Sequence, residues 1–199
     1  MSPAMPTRET KATRTRARIL DSAAAELVEH GYSGSSLRRI AEGADLQPGS
    51  LYFHFETKDE LVLEVLRDTI ARATKDLRQA IDDLGPQATP GEQLRTAIAA
   101  HTRSLHMSGV RGSAVARVAE TLPPALRRRY ANSATSYTRL WNQLLIAAQS
   151  AGDLDSELDV RAVRDLLFSA MNGTLAYRDQ ASSRIEQATQ TLIRLVFRV

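Results

Sequence analysis

The sequence predicts an all-α protein, a small three-helix unit followed by a larger helical body. Three observations predict it. Apolar residues recur three and four positions apart along most of the chain, and nowhere alternate as in a strand. Helix breakers fall at intervals, at Gly31, Gly85-Pro86, Pro90-Gly91, Pro123-Pro124 and Gly152-Asp153. Two S/T-x-x-E capping boxes, Thr57 to Glu60 and Ser183 to Glu186, mark helix starts.

The first helix carries Ile19, Ala23 and Leu27 with Ala24 and Val28, at i and i+4, and stops at Gly31. Ser35 is placed to cap a short second helix, residues 36–43, that buries Leu37, Ile40 and Ala41. Ala44-Asp45-Leu46 makes a turn. A third helix spans about 47–53, with Pro48 in its first turn, where a missing N–H is harmless. Leu51 and Phe55 then share a face and plug a small core with Leu20, Ile40 and Leu61. Two helices of about two turns joined by a short turn have the shape of a helix-turn-helix. The Thr57 box opens a long fourth helix ending near Leu84. Further helices are expected at 91–108, 112–120, 124–151, 159–179 and 183–198.

At 199 residues with 43% hydrophobic content, the chain can bury a sizeable core. It has no cysteine, hence no disulfide or thiolate metal site. The N-terminus lacks the apolar region of a signal peptide, and no run approaches the roughly 18 apolar residues that cross a bilayer. A cytoplasmic protein without membrane contact is expected. Charge is uneven. Arg8, Lys11, Arg14, Arg16 and Arg18 face only Glu9 within residues 1–20, yet residues 1–60 hold eight basic and nine acidic side chains. The positive charge therefore sits in an arm. Such an arm suits a DNA backbone or minor groove, or else serves as a solubilising tail.

The most informative stretch is LQPGSLYFHFETKDEL, Leu46 to Leu61, where three of ten aromatic residues fall within four positions. With the residues before it, from Gly31, it closely resembles the DNA-binding domain of TetR-family transcriptional regulators. The run Leu51-Tyr52-Phe53-His54-Phe55, followed by Lys58 and Leu61, carries the resemblance, which covers roughly residues 12–66. It implies a helix-turn-helix DNA-binding domain with its arm at 1–56, and a helical effector-binding and dimerisation domain at 57–199. By that resemblance Gln47, Pro48, Gly49, Ser50, Tyr52 and His54 contact a double-stranded operator in its major groove. Ser35, Ser36, Arg38 and Lys58 touch phosphates. The chemistry agrees. Gly49 and Ser50 permit close approach, Gln47 can pair bidentately with adenine, and Tyr52 and the serines are phosphate donors. Arg38 and Arg39 lie in a first turn, where cations oppose the helix dipole unless an anion is near. The alternative for both is solvent or Glu42. Asp45, where the family turn often has Gly, and Pro48, where a basic or polar residue is common, depart from the pattern.

The resemblance implies a homodimeric, ligand-responsive regulator, a repressor released from a palindromic operator by a small molecule. An activator, or an architectural DNA binder without effector, is the alternative; the size of residues 91–199 weighs against the latter. An enzyme is excluded by the lack of a phosphate loop, G-x-S-x-G, H-E-x-x-H or cysteine nucleophile. No cofactor or metal is expected: His101 and His106 stand about 140° apart on a helix. The second half mixes rings, thioethers and amides, as a largely apolar effector site does. His101, Met107, Tyr137, Trp141, Met171 and Asn172 are the candidates, in a cavity between the fourth helix and those at 91–108, 124–151 and 159–179. A fainter resemblance over Gly152 to Arg178, to the family's regulators of acyl-CoA and lipid metabolism, carries no expectation.

The last residues read Leu-Ile-Arg-Leu-Val-Phe-Arg-Val, with Arg194 and Arg198 in one polar stripe. A helix apolar on most of its circumference must be covered on most of it. Val163, Leu167 and Ala170 with Ile185, Leu192 and Val196 are the expected interface, two helices per subunit about a two-fold axis. The alternative is that they only complete the subunit core.

Overall fold

A computed structural model describes residues 10–107, 109–177 and 182–197. Arg8 and Glu9 of the arm, residues 178–179 of the expected eighth helix, and Arg198 lie outside them. Among the described residues there is no strand, and the helices are α1 (Lys11–Gly34), α2 (Leu37–Gly43), α3 (Pro48–Tyr52), α4 (Lys58–Asp82), α5 (Pro90–Met107), α6 (Val110–Val118), α7 (Pro124–Ser150), α8 (Val160–Gly173) and α9 (Ser182–Val196). Short 3-10 turns follow α6 and α8, at Ala119–Thr121 and Thr174–Tyr177.

Helix ends follow local chemistry closely. Gly31, at φ 66°, breaks the regular part of α1, and one more turn runs on to Gly34. The cap of α2 is Ser36, not Ser35. The Ser35 hydroxyl donates to Tyr32 O at 2.8 Å and closes the previous turn, which leaves Ser36 Oγ to accept the Arg39 N–H. Pro48 opens α3. Asp45 adopts φ 51°, the left-handed residue of the turn. Arg18 holds it, donating to its carboxylate at 3.2 Å and to Ala44 O. Thr57 Oγ1 accepts the Glu60 N–H at 3.1 Å, while Glu60 reaches back to the Glu56 N–H at 3.0 Å. A further capping box opens α5: Thr89 and Glu92 cap it reciprocally, at 2.8 and 3.2 Å. Ser183 is already within α9, which spans Ser182–Val196 among the described residues. Helix α8 ends short of the expected 179, where the Thr174 hydroxyl donates to Met171 O at 2.6 Å.

Two hydrophobic cores form. The first joins α1, α2 and α3 to the start of α4, from Leu61 to Leu66, and takes Ala114 and Val118 of α6 and Leu126 of α7. Leu20, Ile40, Leu51, Phe55 and Leu61 are all in it, as expected. The second joins the end of α4 to α5, α7, α8 and α9 around Trp141. Helix α4 therefore belongs to both, and α6 seals the first from the side of the second.

Helix α6 sits there by electrostatics as well as packing. Arg111 is buried. It donates to Asp21 of α1 and Asp68 of α4, both at 2.5 Å, and to Ala17 O at 2.8 Å. A Cβ on Gly112 would lie 2.5 Å from Leu105 O, so α5 and α6 meet there at a distance only glycine permits.

Candidate functional site: reading head and internal cavity

The N-terminal unit of α1, α2 and α3 presents α3 outward. Gln47, Pro48 and Gly49 are exposed and Ser50 half-exposed. Tyr52 is 55% exposed and Phe53 92%, while Leu51 and Phe55 anchor the helix from beneath. His54 is half-buried at the helix end. A Cβ on Gly49 would meet nothing within 4 Å, so the subunit itself does not require glycine there; what it provides is a flat outer face.

The predicted phosphate contacts fare unequally. Ser36 stays at the surface, but Ser35 is buried with its hydroxyl engaged. Arg38 is exposed and pairs with Glu42 at 2.9 Å, one turn along. Arg39 does not reach Glu42. It grips buried Glu26 of α1, with Nε–Oε1 at 2.6 Å, and caps Gly34 O. Burial pushes the Glu26 carboxyl up, but hydrogen bonds from Arg39 and the Ser36 N–H prevail and hold it below its usual value. Lys58 donates to Tyr32 O at 2.8 Å and Ser35 O at 3.2 Å and lies over the Tyr32 ring. In the arm, Arg16 pairs with Glu64 across the Phe55 ring and Arg18 with Asp45; from Lys11 onward the arm is part of α1.

A cavity of about 620 Å³ opens inside the helical body. Thr69, Ile70 and Ala73 of α4, His101 and Leu105 of α5, Gly112 and Val115 of α6, one face of α7 and Phe168 of α8 line it. That volume suits a drug-sized ligand, and the lining is mainly apolar. Of the candidates, His101, Tyr137 and Asn172 line it. Trp141 and Met171 are fully buried in the core that backs it. Met107 is 79% exposed on the outer surface, and is not part of it. Tyr130, Thr135, Thr138, Asn142, Arg139 and the Arg164–Asp165 pair add to the polar lining. Nothing in the local pattern singles out these two arginines among 23.

His101 and Tyr137 form the inner wall. His101 Nδ1 and the Tyr137 hydroxyl are 2.5 Å apart. Phe168 stacks nearly parallel to both, with centroids 5.5 and 6.1 Å away, and Trp141 meets all three edge-on. Burial lowers the His101 pKa to about 4 and raises that of Tyr137, so both are neutral at pH 7. The sign for stability follows. Below pH about 6.5 the unfolded chain binds a proton at this histidine that the folded chain refuses. Stability from this site is complete above that pH and falls as pH drops toward 4, by on the order of 3 kcal/mol. Urea unfolding of wild type and His101→Gln between pH 7 and 4.5 should show a steeper decline in the wild type; parallel declines would contradict the buried neutral state.

Most of the residues of α8 and α9 expected at a dimer interface make contacts within the subunit. Leu167 is buried in the subunit core, and Val163, Leu192 and Val196 pack against that core. Ile185 lines a groove against α5. Of the six, Ala170 is exposed. The exposed apolar residues are instead Leu166, 70% exposed, and Leu195, 79% exposed. Ala170 and Gly173 of α8 flank one shallow groove with Ala188, Thr191, Leu192 and Leu195 of α9. A Cβ on Gly173 would meet nothing within 4 Å.

The family description "Bacterial regulatory proteins, tetR family" matches residues 19–65, and "Tetracyclin repressor-like, C-terminal domain" matches residues 87–199. The chain belongs to the TetR family. This TetR-family regulator is 27% identical over 186 residues to the HTH-type transcriptional repressor KstR2 of Mycobacterium tuberculosis, covering 91% of this chain and 90% of that one. It is 23% identical over 159 residues to the fatty acid metabolism regulator protein of Bacillus subtilis, 79% of each chain. Its fold matches AibR in complex with isovaleryl coenzyme A and operator DNA, with TM-score 0.75 and 18% identity, over 92% of this chain and 98% of that one. FadR of Bacillus subtilis in complex with stearoyl-CoA aligns with TM-score 0.69 and 19% identity, over 89% and 97%. These relatives are transcriptional regulators, not enzymes. No helix among the described residues is long and apolar enough to cross a membrane.

Proposed function

We propose that this TetR-family protein is a cytoplasmic, homodimeric repressor that binds a palindromic operator through residues 1–56 and is released when a largely apolar small molecule enters the cavity of residues 57–199. The observation that carries it is the placement of one helix. Gly112 and Val115 of α6 line the cavity, while Arg111 beside them grips α1 of the reading head. A ligand that displaces α6, or α4 through Ile70 and Ala73, moves the head directly. Two heads must sit about 34–36 Å apart to enter successive major grooves, so a small pivot breaks the fit. The acyl chains of isovaleryl coenzyme A and stearoyl-CoA, bound by two proteins of this fold, support an apolar part in the effector. The outward face of Leu166, Ala170, Gly173 and Leu195 supports the dimer.

Two measurements test the head, on a duplex selected from a random pool. Tyr52→Ala removes one phosphate donor per head. At about 1.5 kcal/mol each, operator affinity should fall roughly 100-fold by fluorescence anisotropy with the fold intact. Unchanged affinity means the head has been misplaced. Lys58→Ala separates two roles. As a phosphate contact, Lys58 accounts for about one unit per head in the slope of log affinity against log salt. If that slope is unchanged and only stability drops, Lys58 acts solely through Tyr32 and Ser35. Trp141 touches His101 edge-on, so an effector that releases DNA should alter its emission.

A further inference from the structure

The cavity is lined unevenly from end to end. Along α7 its lining runs from Tyr130 to Asn142, twelve positions and so about 18 Å. The Tyr130 end adjoins α6, because Tyr130 and Val115 both pack against the first core and both line the cavity. The Asn142 end adjoins the first half of α8, where Arg164 Nη1 donates to Asn142 Oδ1 at 2.9 Å. Ile70, Ala73, Leu105, Ala134 and Phe168 supply an apolar body between them.

The charge sits at one end. Arg139, Arg164 and Asp165 are the charged residues of the lining among the described ones, and His101 is neutral because burial opposes its protonation. Two cations and one anion leave one positive charge over. Arg164 is neutralised and held still, giving Nε and Nη2 to Asp165 as well as Nη1 to Asn142. Arg139 is exposed and makes no ion pair or hydrogen bond among the described residues. It stands three positions before Asn142, on the same face of α7. The Asn142 amide has one orientation. Arginine only donates, so the atom facing Arg164 is the carbonyl oxygen, and the NH2 is left for another partner. That NH2 has none among the described residues and keeps accessible surface. Thr135 and Thr138 add no donor, since their hydroxyls donate to Ala131 O and Ala134 O. At the far end the Tyr130 phenol, its pKa raised to about 12 by burial, offers a neutral donor and no charge.

We propose that the cavity takes an aliphatic monocarboxylic acid, its carboxylate held by Arg139 and the Asn142 amide, its chain lying along α7 toward Gly112 and Val115 of α6. One carboxylate balances the one excess charge. A cation and an NH2 together replace the water it loses, which neutral donors alone would not do. A polyanionic ester or thioester brings more negative charge than the lining answers. This deepens the effector reading above and rests on it: a chain long enough to reach α6 is one that can move it.

The test uses the full chain with dodecanoate, hexanoate, 1-dodecanol and dodecanoyl-CoA, each below its micelle concentration. Affinity is read by Trp141 fluorescence and calorimetry, and release by anisotropy of the selected duplex. Dodecanoate should bind about tenfold or more tightly than 1-dodecanol and dodecanoyl-CoA, the worth of one charge-assisted hydrogen bond. Arg139→Gln should remove the preference for the acid and leave the affinity for 1-dodecanol unchanged. Asn142→Asp keeps an acceptor for Arg164 and puts an anion where the NH2 was, so it should reject the acid and spare the alcohol. At saturation hexanoate should leave DNA bound, whereas dodecanoate releases it. No binding of dodecanoate, equal affinity for acid and alcohol, a thioester bound as tightly as the acid, or a preference surviving Arg139→Gln would each overturn the proposal. Release by hexanoate as complete as by dodecanoate would overturn the placement of the chain against α6. Binding of dodecanoate that depends on Arg139 but leaves DNA bound would overturn the effector reading and leave the carboxylate site standing.

Discussion

The double variant Leu166→Glu, Leu195→Glu is expected to run as a folded 21.9 kDa monomer in light scattering, with operator affinity reduced roughly 1,000-fold or more. Both leucines face outward, so a carboxylate on either meets water and leaves the subunit core intact. In a four-helix interface both become buried, where four unpaired carboxylates cannot be accommodated. A dimer binding at nanomolar level draws about 12 kcal/mol from two heads, and one head alone retains about half. Losing the second head therefore removes several decades of affinity. Helicity and melting temperature, measured alongside, should change little. A variant that remains dimeric places the interface elsewhere. Leu167→Glu supplies the contrast: buried in the subunit core, it should unfold the chain.

Arg111→Ala is expected to lower the unfolding free energy by about 3 kcal/mol, read as a drop in urea midpoint at unchanged slope. The buried guanidinium satisfies Asp21, Asp68 and Ala17 O together, and ties α6 to both α1 and α4. Removing it leaves Asp68 partly buried beside Arg72 alone, 2.8 Å away, and a void where the side chain passed. Asp21→Asn should be milder, about 1 kcal/mol, because the Asp21 side chain is mostly in water. A loss under about 1 kcal/mol for Arg111→Ala would show that packing of Ala114 and Val118 holds α6 unaided. If α6 carries the signal, the alanine variant should also hold DNA in the presence of an effector that binds it normally.

What the sequence determined by itself is local. Gly31, Pro48 and the Thr57 box set helix ends because a cap or a missing N–H acts within four residues, and the i, i+4 pattern of α1 and α4 names the buried face. The run through Leu51, Tyr52 and Phe55 was legible for the same reason: anchors and outward rings alternate within one short helix. The tertiary structure decided whatever depends on distant partners. Arg39 pairs with Glu26 rather than Glu42, and Lys58 folds onto the Tyr32 and Ser35 carbonyls, because α1 passes there. Ser35 lost its cap to Ser36 by one hydroxyl turning inward. On α8 the apolar arc is wider than one neighbour covers, so the sequence showed a surplus without saying which side faces in; docking against α5 and α7 buried Leu167 and left Leu166 outside. The clearest case is His101. Its Nδ1 meets the hydroxyl of Tyr137, 36 residues away, and burial of the pair keeps the imidazole neutral.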